Sequence, residues 1–151
     1  NAETLRRIVD EGHLLGNHGY FHKDHKKLSY EGNLSEIKTC HELVKGVCGF
    51  EMNLFAPPSG SFGANTMRAA YELGYKSVMW TLDTIDWRDS DEELVIKRAT
   101  EKAKAGDFIL MHPKKHTLAA LKEILKIYKE KGLRLNTVAR LIEKNVGNEN
   151  A

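Results

Sequence analysis

Hydrophobic positions change their period several times along the chain, and each change marks a switch between helix and strand. Leu5, Ile8 and Val9 share one helical face that Gly12 closes, because a glycine just past a helix takes left-handed backbone at no steric cost. Leu14 and Leu15 predict a short strand running into a histidine-rich loop. Leu34, Ile37, His41 and Val44 recur at three- and four-residue steps, which predicts a second helix ending near Gly46 or Gly49. Residues 53–56 give the next strand, stopped by Pro57 and Pro58, since proline cannot donate to a sheet ladder. A third helix from Asn65 to Gly74 is expected to carry Met67, Ala70 and Tyr71 inward, and the run 77–82 reads as a strand buried on both sides. Ser90 and Glu93 form a capping box for a helix to about Ala103. Residues 108–111 are another buried strand; Leu118, Leu121, Ile124, Leu125 and Tyr128 then mark the most regular helix, ended by Gly132. A short strand at 133–135 leads to a closing helix over 138–143.

Strands separated by helices pair in parallel through helical crossovers, so the pattern predicts an α/β sheet or barrel. No repeat, low-complexity tract or linker interrupts it. One domain over residues 1–146 is expected, with a polar, disordered tail at 147–151.

Composition narrows the function classes. With 41% hydrophobic and 29% charged residues in 151, the chain can bury a sizeable core. The 23 basic and 21 acidic residues nearly balance, and Leu or Ile interrupts the Lys-rich stretch 122–131. That stretch is a solvated helix face, and nucleic acid is not an expected partner. No run is long enough to span a bilayer, and no signal segment opens the sequence, which begins at Asn1 and so leaves the compartment open. Cys40 and Cys48 lack the CxxC spacing of a zinc or redox site and are expected as partly buried free thiols.

Ligands in α/β folds bind at the carboxyl ends of strands, and four predicted strand ends are polar or special. The first carries His18 and His22, whose i, i+4 spacing lets two imidazoles converge on one metal ion from a helical turn or tight loop. A catalytic ion normally has a third protein ligand, for which Asp24 and His25 are nearby candidates, although each reads more naturally as a solvated loop residue. The second strand end carries Pro57, Pro58, Ser59 and Gly60. The third offers Asp86 and Trp87, and Trp87 reads equally as a platform for a sugar ring or as core. His112 ends the fourth strand and suits general acid or base work, with Asp86 from the neighbouring strand end to orient its ring.

Taken together, these residues resemble the motifs of the NodB-homology polysaccharide deacetylases, carbohydrate esterase family 4. Gly12-His13-Leu14-Leu15-Gly16-Asn17-His18 with His22 is similar to the second motif, which implies that His18 and His22 hold a divalent metal, zinc or else cobalt or another late first-row ion. Pro57-Pro58-Ser59-Gly60 resembles the third motif, implying that Pro58 and Ser59 line the substrate groove. Asp83, Asp86 and Trp87 resemble the fourth, whose aspartate orients the catalytic histidine. Leu110-Met111-His112 resembles the fifth, implying that Leu110 lines the acetyl pocket and His112 is the general acid.

The resemblance implies a distorted, incomplete (β/α) barrel lacking its first strand-helix units, and a metal-dependent hydrolase that removes N-acetyl groups from N-acetylglucosamine-type residues. Its implied partner is peptidoglycan or a chitin-like polysaccharide, and its implied location is extracellular, at the cell wall or spore. The family's first motif, T-F-D-D-G, which supplies the catalytic base and a third metal ligand, is absent here, and low activity is the expectation for this chain as it stands. Ala56 replaces the arginine that opens the third motif, Ser59 its usual aromatic, Gly19 the usual Ser or Thr of the second, and Pro113 the frequent Asp of the fifth. The A-P-P-S-G variant resembles the sporulation-associated branch. Ala56 and Ser59 favour an alternative, a non-catalytic glycan-binding or spore-structural module derived from the fold, whereas His18, His22, Asp86, Trp87 and His112 favour the enzyme.

Overall fold

The computed structural model describes residues 1–147, and residues 148–151, where most of the expected tail lies, fall outside the described residues. The described residues form two compact units, one from Asn1 to Met79 and one from Trp80 onward. Each is built on one parallel strand pair joined through a helix.

In the first unit, β1 (Leu54–Phe55) runs through α3 (Ala64–Glu72) to β2 (Lys76–Ser77), and the two strands pair in parallel. Two further helices, α1 (Ala2–Asp10) and α2 (Tyr30–Cys48), pack in sequence onto α3. Ser29 starts α2 by accepting from the Gly32 N–H, and Gly49 stops it with φ 68°, where a side chain would be strained. The core is Ile37, Val44, Met52, Phe55, Ala69, Ala70 and Tyr75, with Phe55 and Ile37 wholly buried. Cys40 and Cys48 are free and half-buried.

The second unit repeats the plan with β3 (Leu82–Asp83), α4 (Glu92–Thr100) and β4 (Ile109–Leu110), its strands again parallel. Helix α5 (Lys115–Glu130) packs on α4 around Val95, Ala99, Ala120, Ile124 and Tyr128, and α6 (Val138–Gly147) follows. Among the described residues no helix is long and apolar enough to cross a membrane.

Several expectations need correction. Residues 14–15 form no strand: the pairing comes at Asn17, which bridges Phe55 through Asn17 N–H to Leu54 O and Ala56 N–H to Asn17 O. The run 77–82 is divided between β2 and β3 and is nowhere fully buried, with Met79 exposed. Residues 133–135 form no strand. Asp91 caps α4 in place of Ser90, its side chain accepting from Leu94 N–H.

Two helices keep their predicted period and bury Ala70, Ile124 and Tyr128 as expected, but their inward faces are rotated away from the other expected residues. Met67 and Tyr71 of α3 are exposed, while Thr66, Ala69 and Ala70 are buried. Leu118, Leu121 and Leu125 of α5 are likewise exposed, while Thr117, Ala120, Ile124 and Tyr128 face inward. Polar anchors fix both rotations. Thr66 donates to His25 O at 3.0 Å, Thr117 to Asp86 at 2.7 Å and Tyr128 to Ala99 O at 2.8 Å. Turning either helix toward its larger apolar residues would strand those hydroxyls, at about 1–3 kcal/mol for each buried group left unpaired.

Candidate active site

The first unit presents its histidines on a loop whose backbone is held by side chains. Asn17, buried behind that loop, accepts the Gly19 N–H on Oδ1 at 3.0 Å and donates through Nδ2 to Ile37 O at 2.8 Å and to Tyr75 Oη at 3.1 Å. Glu36 of α2, also buried, accepts the N–H groups of Tyr20 and Phe21 on one oxygen, at 3.1 and 2.8 Å. Its other oxygen meets Lys23 Nζ at 2.9 Å. Three consecutive N–H groups that no helix or strand satisfies are therefore taken up by two carbonyl or carboxylate side chains.

On this loop the rings of His18 and His22 lie 5.0 Å apart between centres at 68°. His18 Nδ1 sits 2.6 Å from Ala56 O. A carbonyl can only accept, so Nδ1 carries the hydrogen and the neutral ring has its lone pair on Nε2, the tautomer in which a histidine ligates metal through Nε2. The two imidazoles are in edge-to-face contact on one loop. The donor set thus fits two imidazole ligands, and among the described residues no group of three or more His, Cys, Asp or Glu is placed to hold a metal.

Asp24 and His25 do not supply the missing ligand. The Asp24 carboxylate takes Ser61 Oγ at 2.5 Å and Lys27 Nζ at 3.1 Å, and these contacts hold its pKa below the ordinary value. His25, expected in solvent, is wholly buried. Its Nδ1–H donates to Asn33 Oδ1 at 2.8 Å, burial pushes its pKa down, and its Nε2 has no hydrogen-bond partner. That nitrogen faces Gly19, where a Cβ would lie 2.7 Å from it on backbone of φ 73°. A side chain at residue 19 is therefore disfavoured for two reasons, its left-handed backbone and the buried imidazole beside it.

After β1, Pro58 is buried and braces the turn, so Ser59, exposed and at φ 54°, is the one of the pair that presents its side chain.

In the second unit Asp86 and His112 meet at the ends of β3 and β4. His112 Nδ1–H donates to Asp86 Oδ1 at 2.7 Å, while Asp86 Oδ2 accepts the His112 backbone N–H at 2.6 Å and Thr117 Oγ1 at 2.7 Å. His116 Nε2 donates to the Asp86 carbonyl at 2.9 Å. Burial alone would raise the Asp86 carboxyl, but the His112 N–H, Thr117 and the His112 ring together hold it below the usual range. The His112 side chain is 37% exposed, against 0% for Asp86. Its Nε2 is thus the nitrogen left for proton transfer. Trp87 is 56% exposed, which removes it from the core, and Arg88 lies over its ring. Leu110 is half-buried in β4, and its carbonyl accepts from Thr84 Oγ1 at 2.9 Å.

Comparison with known proteins places the chain in a family. The polysaccharide deacetylase family model matches residues 1–78. A peptidoglycan-N-acetylglucosamine deacetylase of Bacillus cereus is 31% identical over 94% of this chain and 69% of its own length. This chain belongs to the polysaccharide deacetylase family. The chain is also 37% identical to the uncharacterized protein YlxY of Bacillus subtilis, over 95% of itself but only 45% of that protein. Among solved structures, the CE4 family pseudoenzyme from Bacillus anthracis superposes with a TM-score of 0.89 at 30% identity, covering 93% of this chain and 50% of that one. The α/β fold is therefore the NodB type, and the chain spans about half the length of several relatives it matches.

Sequence reasoning missed Glu36, His116 and Thr117, and named Asn17 only as part of the histidine motif. Glu36 and Thr117 carried a signal: a carboxylate and a hydroxyl on the inward face of an amphipathic helix must find partners.

Because Glu36 and Asp86 are both held below ordinary carboxylate values in the folded state, the stability they add is fully present above about pH 4, near the unfolded values, and is lost as pH falls through the folded ones. Thermal midpoints measured from pH 7 to pH 3 should drop below pH 4, and the Glu36→Gln/Asp86→Asn double variant should show a shallower drop. An equal drop in both proteins would contradict this assignment.

Proposed function

We propose that this chain carries the metal-histidine and acid-histidine parts of a hydrolase that removes N-acetyl groups from N-acetylglucosamine-type residues of peptidoglycan or a related cell-wall polysaccharide. The observation that carries the reading is the Asp86–His112 pair, a buried carboxylate fixed by three donors and turned onto the ring of a half-exposed histidine. Such a pair keeps the imidazole oriented, as proton donation to a departing amine requires. A water would add its oxygen to the acetamide carbonyl carbon and give up a proton to solvent, and His112 Nε2 would protonate the amine nitrogen as the carbon–nitrogen bond breaks, leaving acetate and the free amine.

His18 and His22 are the residues that would hold a divalent metal, zinc or another late first-row ion. Such an ion, when bound, supplies Lewis-acid polarisation of the acetamide carbonyl and a more acidic water. Ser59, the exposed Trp87 face and Leu110 are the groups proposed to meet the sugar and its acetyl group. A cell-wall location follows from such a substrate, and the sporulation role rests on the A-P-P-S-G resemblance alone.

A second reading, a glycan-binding module without turnover, is favoured by Ala56 in place of the motif's arginine and by the likeness to a pseudoenzyme. Acetate release from N-acetylated peptidoglycan, measured with added Zn²⁺ or Co²⁺ and with chelator, separates the two. Low but metal-dependent acetate release that His112→Ala abolishes is the expected result. Binding of the glycan without any release of acetate would establish the second reading instead.

A further inference from the structure

We propose that Glu36 is the positioning residue for the two histidines, a buried clamp on α2 that sets the loop geometry in which His18 and His22 face one another. The inference rests on the metal reading of these histidines given above. The starting point is that residues 18–22 have the spacing of a helical turn without being one. His22 has φ 54° and Gly19 φ 73°, so backbone hydrogen bonding of the regular kind cannot hold the segment. Something else must, because left-handed non-glycine backbone is strained and persists only when its surroundings over-determine it.

Glu36 meets that need with one side chain. A single carboxylate oxygen accepts two consecutive N–H groups, those of Tyr20 and Phe21, which lie between the two histidines. The opposite oxygen takes the ammonium of Lys23, the residue following His22. The clamp thus grips the loop within the His18–His22 interval and just beyond it. Glu36 is 5% exposed and sits one residue from Ile37, a wholly buried member of the core. Its backbone is therefore as fixed as the core itself. Burial would raise the carboxyl, but the Phe21 N–H, Lys23 and the Tyr20 N–H hold it ionised, so the clamp is a charged one.

A residue with this role should affect the histidines beyond its effect on stability. In the metal-free protein, an NMR contact between the His18 and His22 rings is expected, and Glu36→Ala should abolish it. Titration with Co²⁺ alone should show affinity falling at least about 10-fold in Glu36→Ala, the scale on which outer-shell partners act on bound metal. Glu36→Gln keeps one accepting oxygen but turns an NH₂ toward Lys23, and should fall between the two; it also serves if the alanine variant does not fold. Val44→Ala, a core truncation on the same helix, should lower the thermal midpoint while leaving Co²⁺ affinity and the ring contact intact. Persistence of the ring contact and of wild-type Co²⁺ affinity in both Glu36 variants would overturn the positioning role, as would losses in Val44→Ala that match those in Glu36→Ala. Failure of the unsubstituted protein to bind Co²⁺, with the ring contact present, would instead overturn the metal reading and with it the claim that the clamp serves a metal.

Discussion

Asp86→Ala is expected to lower unfolding stability by about 2–3 kcal/mol and to suppress acetate release by about 10²–10⁴-fold. The stability figure follows from which donors are stranded. Thr117 is buried and loses its acceptor outright, as does the His112 backbone N–H, whereas the His112 ring, at 37% exposure, can turn to water. Two unpaired donors at about 1–3 kcal/mol each, less what repacking water recovers, give the range. The activity figure follows from losing the orientation of the acid. Asp86→Asn separates the two effects, since it keeps the shape and one accepting oxygen but sets an NH₂ against one of its three donors. Chemical denaturation and acetate release on the same preparations would check both. A variant that is destabilised yet turns over at the parental rate would remove His112 from the acid role.

The second large effect concerns metal. His18→Ala and His22→Ala should each weaken Zn²⁺ or Co²⁺ binding by at least about 100-fold, above the range seen for outer-shell partners, because each removes half of the imidazole donors. Neither should destabilise the fold by more than about 1 kcal/mol, since both side chains are exposed. The two effects combine into one readout. Added metal should raise the thermal midpoint of the unsubstituted protein by linkage and leave both variants unmoved. A midpoint that rises equally in all three would place the ion elsewhere.

Sequence alone determined the order and type of most elements, because hydrophobic period and turn chemistry act over only a few residues. Helix α2 and its Gly49 stop, the Pro57–Pro58 limit on β1 and the Asp86 and His112 strand ends were all legible in that way. Motif spacing also picked out His18 and His22, since four residues of separation constrain two rings wherever the chain turns. Tertiary structure decided which helix face turns inward. Periodicity places Leu118 and Leu121 on one apolar face of α5, but the choice between neighbouring faces fell to Thr117 and Tyr128, whose partners lie 31 and 29 residues away in sequence. It also decided the loop that carries the histidines. Nothing local reveals that Glu36 would accept the Tyr20 and Phe21 N–H groups, or that His25 would be buried against Gly19. A buried polar group takes its partner from whatever the fold brings beside it, and that neighbour is set by long-range packing, which the local pattern does not encode.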